Sequence, residues 1–129
     1  MFVSTNPNPC RTLVGDCVIR AISIAEGKKW ADVYIDICAE GLNMCDMPSS
    51  NAVWRSYLLK NGYAESYTDG DVHVRDFAAK NPKGVYVVGT GSHVVAIVDG
   101  NYCDTWDSGD ESVTICYKKG AVKNGNATV

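Results

Sequence analysis

The sequence predicts an α+β domain in which N-terminal helices pack on a C-terminal antiparallel sheet. Apolar residues recur at helical spacing through the first half of the chain. After Gly84 the pattern changes to short runs rich in β-branched and aromatic residues, VYVVGT, HVVAIVD, YCDTWD and SVTICY. Helices followed by strands favour this class over alternating βαβ units.

The length of 129 residues fits one domain with a hydrophobic core of its own. We assign residues 1–117 to that domain. The remaining segment, residues 118–129, has no hydrophobic periodicity and is predicted to be a flexible tail.

Four helices are predicted before Gly84 from apolar periodicity between a cap and a stop. They run from Asp16 to Gly27, from Trp30 to Gly41, from Ser49 or Ser50 to Gly62, and over 74–80. The second helix carries an apolar stripe, which predicts packing in the core and not a cofactor site: Trp30, Val33, Tyr34, Ile37 and Cys38.

Composition excludes some classes of function. A net charge of −3 argues against a basic surface for nucleic acid or anionic lipid. We find no basic segment followed by an apolar run, as a secretory signal has, and no apolar window long enough to span a membrane. These features predict a cytoplasmic protein with no nucleic-acid or membrane partner.

The chain has six cysteines, an even number that a disulfide framework would also have. In a cytoplasmic protein with enough apolar residues for a core, reduced thiols are the expectation. The cysteines form no C-x2-C pair, and the two histidines lie far from each closely spaced cysteine pair, so no metal site and no cofactor is predicted.

Cys17 differs from the other five because it directly follows Gly15-Asp16 and opens an apolar helical run. Unpaired N–H groups and the positive end of the helix dipole stabilise a thiolate there. The same N–H groups are suited to an oxyanion. A nucleophile is therefore predicted, although a buried structural cysteine fits this position as well.

His93 is the candidate base, at the start of the HVVAIV strand. Gly89, Gly91 and Ser92 precede it and leave room for a substrate. A histidine satisfied by a turn carbonyl is the alternative. The second histidine, His73, lies in a polar turn and is predicted to be a surface residue.

Asp107 is the candidate that orients the imidazole. If residues 99–101 form a three-residue hairpin loop, Val98 faces Tyr102 and His93 faces Asp107. Asp104 would then point to the opposite face of the sheet. A change of one residue in the loop breaks this alignment, and a solvated strand-end carboxylate is the alternative for Asp107.

Two motifs then resemble the papain-like superfamily of cysteine peptidases: GDCVIRAIS and, much later, SHVVAIVDGNYCDTWD. In that superfamily a Cys at the start of a central helix precedes a His on one strand and an Asn or Asp on the next. The first motif is similar to that of ovarian-tumour-type deubiquitinases and, in its Asp-Cys pair, of NlpC-type peptidoglycan hydrolases. The whole chain resembles small proteins of bacteriophages and prophages.

The resemblance implies a papain-like fold, a triad of Cys17, His93 and Asp107, and acyl-group chemistry. Two features depart from the pattern. Arg11 occupies the place of the Gln that usually precedes the nucleophile by about six residues, and the CGxCW sequence of papain itself is missing.

These observations predict a cysteine peptidase or isopeptidase-like hydrolase, which cleaves an amide bond of a peptide or protein substrate, such as a host protein, through a thioester. A peptidoglycan amidase or an acyltransferase has the same triad. The alternative from another class is a non-catalytic, phage-derived binding protein on the same scaffold. The loop NMCDMPSSN would then be a contact surface, although a plain connection between two helices is the favoured interpretation of that loop.

Overall fold

The computed structural model describes residues 1–120. It has four helices and a six-stranded mixed sheet, so the α+β class is confirmed. The helices are α1 (Cys17–Glu26), α2 (Trp30–Asn43), α3 (Asn51–Lys60) and α4 (Val74–Lys80). The strands are β1 (Phe2–Ser4), β2 (Tyr63–Tyr67), β3 (Val85–Gly89), β4 (Val94–Val98), β5 (Asn101–Asp104) and β6 (Ile115–Lys119).

The sheet has the strand order β1-β5-β4-β3-β6-β2. Only the pairing of β1 with β5 is parallel. Strands β3 to β6 overlap the four runs that the sequence predicts, but β1 and β2 were not predicted. A three-residue strand has no detectable pattern, and the mostly exposed YAESY run of β2 has little apolar alternation.

The sheet separates two hydrophobic clusters, with α1, α2 and α3 on one face and α4 on the other. The larger cluster joins the three helices to the sheet through Ile22, Ile37, Leu58, Val87 and Tyr117, all at most 1 % exposed. The smaller joins α4 to the opposite face through Val74, Val88, Val95 and Ile97. Both faces of the central strands are thereby buried, which explains their continuous apolar runs.

Helix α2 continues past Gly41, where the sequence predicts a stop. A Cβ at this position would lie 3.0 Å from the carbonyl oxygen of Asp46. The glycine therefore allows the close approach of the loop that follows the helix and does not act as a C-cap.

No helix among residues 1–120 is long and apolar enough to cross a membrane.

The hairpin between β4 and β5 corrects the predicted register. Its loop has two residues, Asp99 and Gly100, both with positive φ (48° and 81°), as a type I′ turn requires. Val98 therefore pairs with Asn101, not with Tyr102. The shift by one residue changes which acidic residue meets His93.

Strand β6 also corrects the domain boundary, because it includes Lys118 and Lys119, the first two residues of the predicted tail. Both pair with β2. Gly120 follows and donates to Gly62 O (2.9 Å). Residues 121–129 of the predicted tail lie outside the described residues.

Candidate active site

Cys17 is the first residue of α1, as predicted, and its side chain is half-buried at a cleft. The first amide of this helix with a backbone partner is that of Arg20, which donates to Asp16 O (2.9 Å). Among residues 1–120, the N–H groups of Cys17, Val18 and Ile19 have no backbone or side-chain acceptor. The helix start therefore presents free donors beside the thiol.

Asp16 precedes the helix as predicted, but its carboxylate does not cap the helix. It accepts hydrogen bonds from the Arg20 guanidinium, from Trp30 Nε1 (2.9 Å) and from Asn8 Nδ2 (3.4 Å). Asp16 and Arg20 therefore form a buried ion pair. Because the carboxylate is engaged elsewhere, the amides of α1 stay open to an anion.

His93 lies directly before β4, and its side chain is 10 % exposed. Nε2 is 2.6 Å from Asp104 Oδ2. The Cys17 thiol lines the same cleft, and each of the two groups shifts the pKa of the other. Since Asp104 takes Nε2, Nδ1 is the nitrogen for the thiol. Trp106 covers the ring, with its centroid 5.0 Å away.

The predicted pairing of His93 with Asp107 is wrong. Asp107 is exposed, and its Oδ1 accepts hydrogen bonds from the Tyr102 hydroxyl (2.7 Å) and from the Gly109 amide (3.0 Å). Asp104, which was expected on the other face of the sheet, meets the imidazole. The two-residue Asp-Gly turn was the signal in the sequence that would have given the correct register.

Asp104 is buried at the end of β5, with 3 % exposure. Besides His93, it accepts hydrogen bonds from Ser108 Oγ (2.8 Å), from the Thr105 amide (2.8 Å) and from Arg20 Nη2 (3.4 Å). The buried guanidinium of Arg20 thus joins the carboxylates of Asp16 and Asp104. Ser108 was not predicted, because no sequence motif marks it.

These contacts shift the pKa values of the three groups. Burial opposes ionisation of Cys17, but the hydrogen bond and charge of His93, the Val94 amide and the charge of Arg20 together lower the pKa of the thiol. Burial likewise opposes the imidazolium, yet Asp104 and Cys17 raise the pKa of His93 to about 9. Burial raises the pKa of Asp104, but His93 and Ser108 lower it further, so the net shift is downward. The arrangement favours a thiolate beside an imidazolium.

Cys17 and His93 lie in a cleft of about 740 Å³. One side is formed by the start of α1 and by residues of α2 and α3. The other is formed by the last residues of β2 and β3 and the first residues of β4 and β6. A Cβ at Gly89 would lie 2.7 Å from Ile115 Cγ2, so glycine is needed where these strands form the floor. A volume of this size suits a segment of several peptide residues.

The apolar stripe of α2 only partly agrees with the prediction of core packing. Val33 and Ile37 are buried, at 0 % and 1 % exposure. Tyr34 is 50 % exposed, and together with Trp30, whose ring centroid lies 5.2 Å from its own, it lines the cleft. All residues of the stripe except Val33 therefore line the candidate site.

The other candidate residues lie apart from this centre. His73 has a side chain that is 47 % exposed, as predicted for a surface residue. All six cysteines are free. No group of three or more His, Cys, Asp or Glu side chains within residues 1–120 is arranged to hold a metal ion.

Comparisons of the chain with protein-family models, with curated proteins and with solved structures gave no match.

Proposed function

We propose that the protein is a cysteine hydrolase that cleaves an amide bond through a Cys17-His93-Asp104 triad. The observation that carries the proposal is that Cys17, at an uncapped helix start, shares a cleft with His93, whose Nε2 is 2.6 Å from a buried carboxylate. Nucleophile, base and orienting acid then have the relative positions that acyl transfer requires.

In the first step His93 Nδ1 holds the proton of Cys17, and the thiolate attacks the amide carbon. The C–S bond forms as the carbonyl π pair moves to oxygen. The free N–H groups at the start of α1 stabilise that oxyanion. As the oxyanion collapses, the C–N bond breaks and the imidazolium protonates the leaving amine, which leaves a thioester on Cys17.

In the second step His93, now neutral, removes a proton from water. The hydroxide adds to the thioester carbon, the C–S bond breaks, and the carboxylic acid leaves. The thiolate and the imidazolium are restored. Asp104 keeps the proton on Nε2 throughout, so that Nδ1 always faces the reacting atoms.

The proposal includes a compact papain-like relationship, supported by the chain order of nucleophile, histidine and acid. The usual upstream Gln is replaced by Arg11, which is exposed. Asn8, the nearest amide side chain upstream, is 5 % exposed and hydrogen-bonds to Asp16 and to the Cys10 amide. We therefore assign oxyanion binding to the backbone of α1 and not to a side chain from this segment.

A peptide or protein is the proposed substrate class. Leu13 and Val14 are 79 % and 55 % exposed beside the nucleophile, and Met47 is 67 % exposed next to the cleft residue Pro48. Exposed apolar side chains near both edges of a cleft suit a protein surface. They are also the observation that favours the second candidate, a binding protein that holds a partner at this surface without cleavage.

An activated ester separates the two candidates. With p-nitrophenyl acetate, a hydrolase should release one equivalent of nitrophenol in a burst, carry an acetyl group on Cys17, and then turn over. The burst should be lost in Cys17→Ala and kept in Cys38→Ala, a matched control because Cys38 lines the same cleft. Acetylation of Cys38 in preference to Cys17, or no burst, would favour the binding protein.

A further inference from the structure

A second polar group lies along the cleft, centred on Arg55 of α3. Its Nε and Nη2 both contact Glu65 Oε2, at 3.3 and 3.0 Å. Nε also donates to the Tyr117 hydroxyl (2.8 Å) and Nη2 to the Tyr67 hydroxyl (2.9 Å). Four contacts fix the plane of the guanidinium, so little conformational entropy is lost if it binds a ligand.

The third nitrogen of this guanidinium, Nη1, has no hydrogen-bond partner among residues 1–120. The side chain is 40 % exposed, and both Arg55 and Tyr67 line the cleft. Arg55 thus offers up to two N–H donors in a fixed position.

The sheet register gives the distance between this group and the triad. Val94, Gly89, Ile115 and Tyr67 are successive Cα partners across four neighbouring strands. Val94 and Cys17 both line the cleft at one end of this row, and Tyr67 contacts Arg55 at the other. Three strand spacings of about 4.8 Å make the row about 14 Å long. An extended peptide covers that length with about four residues, at about 3.3 Å each.

We propose that the cleft binds an extended peptide whose main chain runs along this row from Cys17, and that Arg55 Nη1 holds a peptide carbonyl about four residues from the scissile bond. This inference rests on the proposed function and adds to it a minimum length of substrate. Arg55 is then a specificity-determining residue for long peptides over single amino-acid derivatives.

The ligand atom is a neutral oxygen because the charge of Arg55 is already balanced. Glu65 occupies the Nε and Nη2 edge of the guanidinium, which is the edge a carboxylate would bind bidentately. A second carboxylate there would lie close to the first. A peptide carbonyl needs a single donor and brings no charge.

The test uses two series of electrophilic peptides, two to five Leu or Ala residues long, that label Cys17. A C-terminal vinyl sulfone places the peptide on the acyl side of the thiol, and an N-terminal acryloyl group places it on the amine side. The second-order labelling rate is measured in wild type, in Arg55→Met and in Arg75→Met. Arg75 is the matched control because it pairs with the exposed Asp110 outside the cleft.

In one of the two series, wild type should label faster once the peptide reaches about four residues. The ratio of long-probe to short-probe rates should be about tenfold higher in wild type than in Arg55→Met, the factor of one hydrogen bond to a charged group. The added peptide residues make the same apolar contacts in wild type and in Arg55→Met, so the difference between the two ratios reports the contribution of Arg55 alone. Arg75→Met should keep the wild-type ratio.

Thermal melts and near-ultraviolet circular dichroism establish that Arg55→Met is folded. If that variant is not folded, Tyr67→Phe and Arg55→Lys replace it, and a lysine should keep part of the length effect. Equal ratios in wild type and the Arg55 variant, in both series, would overturn the inference. If Cys17 is still acetylated by p-nitrophenyl acetate in that case, the proposed function stands without the inference about Arg55. If neither the length effect nor the acetylation is seen, the proposed function and the inference are both rejected.

Discussion

Asp104 and Asp107 are three residues apart, yet they lie in opposite environments. Asp104 is 3 % exposed and is surrounded by donors from His93, Ser108, Thr105 and Arg20. Asp107 is exposed and contacts the Tyr102 hydroxyl and an amide. The difference shows that the local sequence, DTWD, does not identify the acid of the site, and that the turn before it does.

The largest expected effect comes from removing the cation that joins the two buried carboxylates. Arg20→Ala leaves Asp16 and Asp104 without their shared guanidinium, and breaking a buried pair in this way costs about 3–5 kcal/mol. Urea unfolding should show that loss as a lower midpoint. Arg75→Ala, which removes an exposed pair, serves as the control, and an equal shift in both variants would contradict the network around Asp104.

Replacing each of the two aspartates by asparagine in turn gives the most direct contrast between them. Asp104→Asn should lower the rate at which iodoacetamide labels Cys17 at pH 6 by about tenfold or more. Without the carboxylate the imidazolium is less stable and stabilises the thiolate less, and one pKa unit changes the thiolate fraction tenfold. Asp107→Asn should label like wild type. The original register prediction requires the reverse order, so a larger effect from Asp107→Asn would restore it.

Ser108→Ala should have the smallest measurable effect on this network. It removes one donor to Asp104 Oδ2 and leaves the other three, at a cost of about 0.5–1.5 kcal/mol for one hydrogen bond. The pKa of Asp104 should rise, because Ser108 helps to lower it. Following the carboxyl carbon by NMR during an acid titration measures this, and an unchanged titration would show that the bond contributes nothing.

Much of the fold could be predicted from local patterns. The Gly15-Asp16 pair and the apolar spacing after it placed Cys17 at the start of α1, and Ser50 does cap α3 by accepting from the Ala52 amide. These features depend on residues within one or two turns of each other. Such signals are visible in a single sequence.

The remainder depended on contacts between distant segments. Strand β1 is held by parallel pairing with β5, about 100 residues later in the chain, and no local pattern predicts such a partner. Which aspartate meets His93 depended on whether the loop at Asp99-Gly100 has two residues or three. Asp16 has the sequence of a cap, but tertiary contacts with Trp30 and Arg20 engage its carboxylate.

The central claim is that Cys17 and His93 form a thiolate-imidazolium pair. Their pKa values are shifted in opposite directions, that of Cys17 downward and that of His93 up to about 9. The pair should therefore keep its charges from the lowered pKa of Cys17 up to about pH 9. Above that pH the imidazolium loses the proton that the leaving amine needs, so hydrolysis should fall while alkylation of Cys17 does not.

The most direct measurement is the rate of alkylation of each cysteine by substoichiometric iodoacetamide at pH 6 and pH 9, followed by peptide mapping. At pH 6 a thiol with a pKa of about 8.5 is ionised in only about one molecule in 300. At pH 6 Cys17 should be labelled before the other cysteines. In His93→Ala the labelling rate of Cys17 should be about tenfold lower or more at pH 6 and should largely recover at pH 9. If Cys17 labels no faster than the exposed Cys10 and Cys45 in the native protein, the pair does not form and the hydrolase proposal is contradicted.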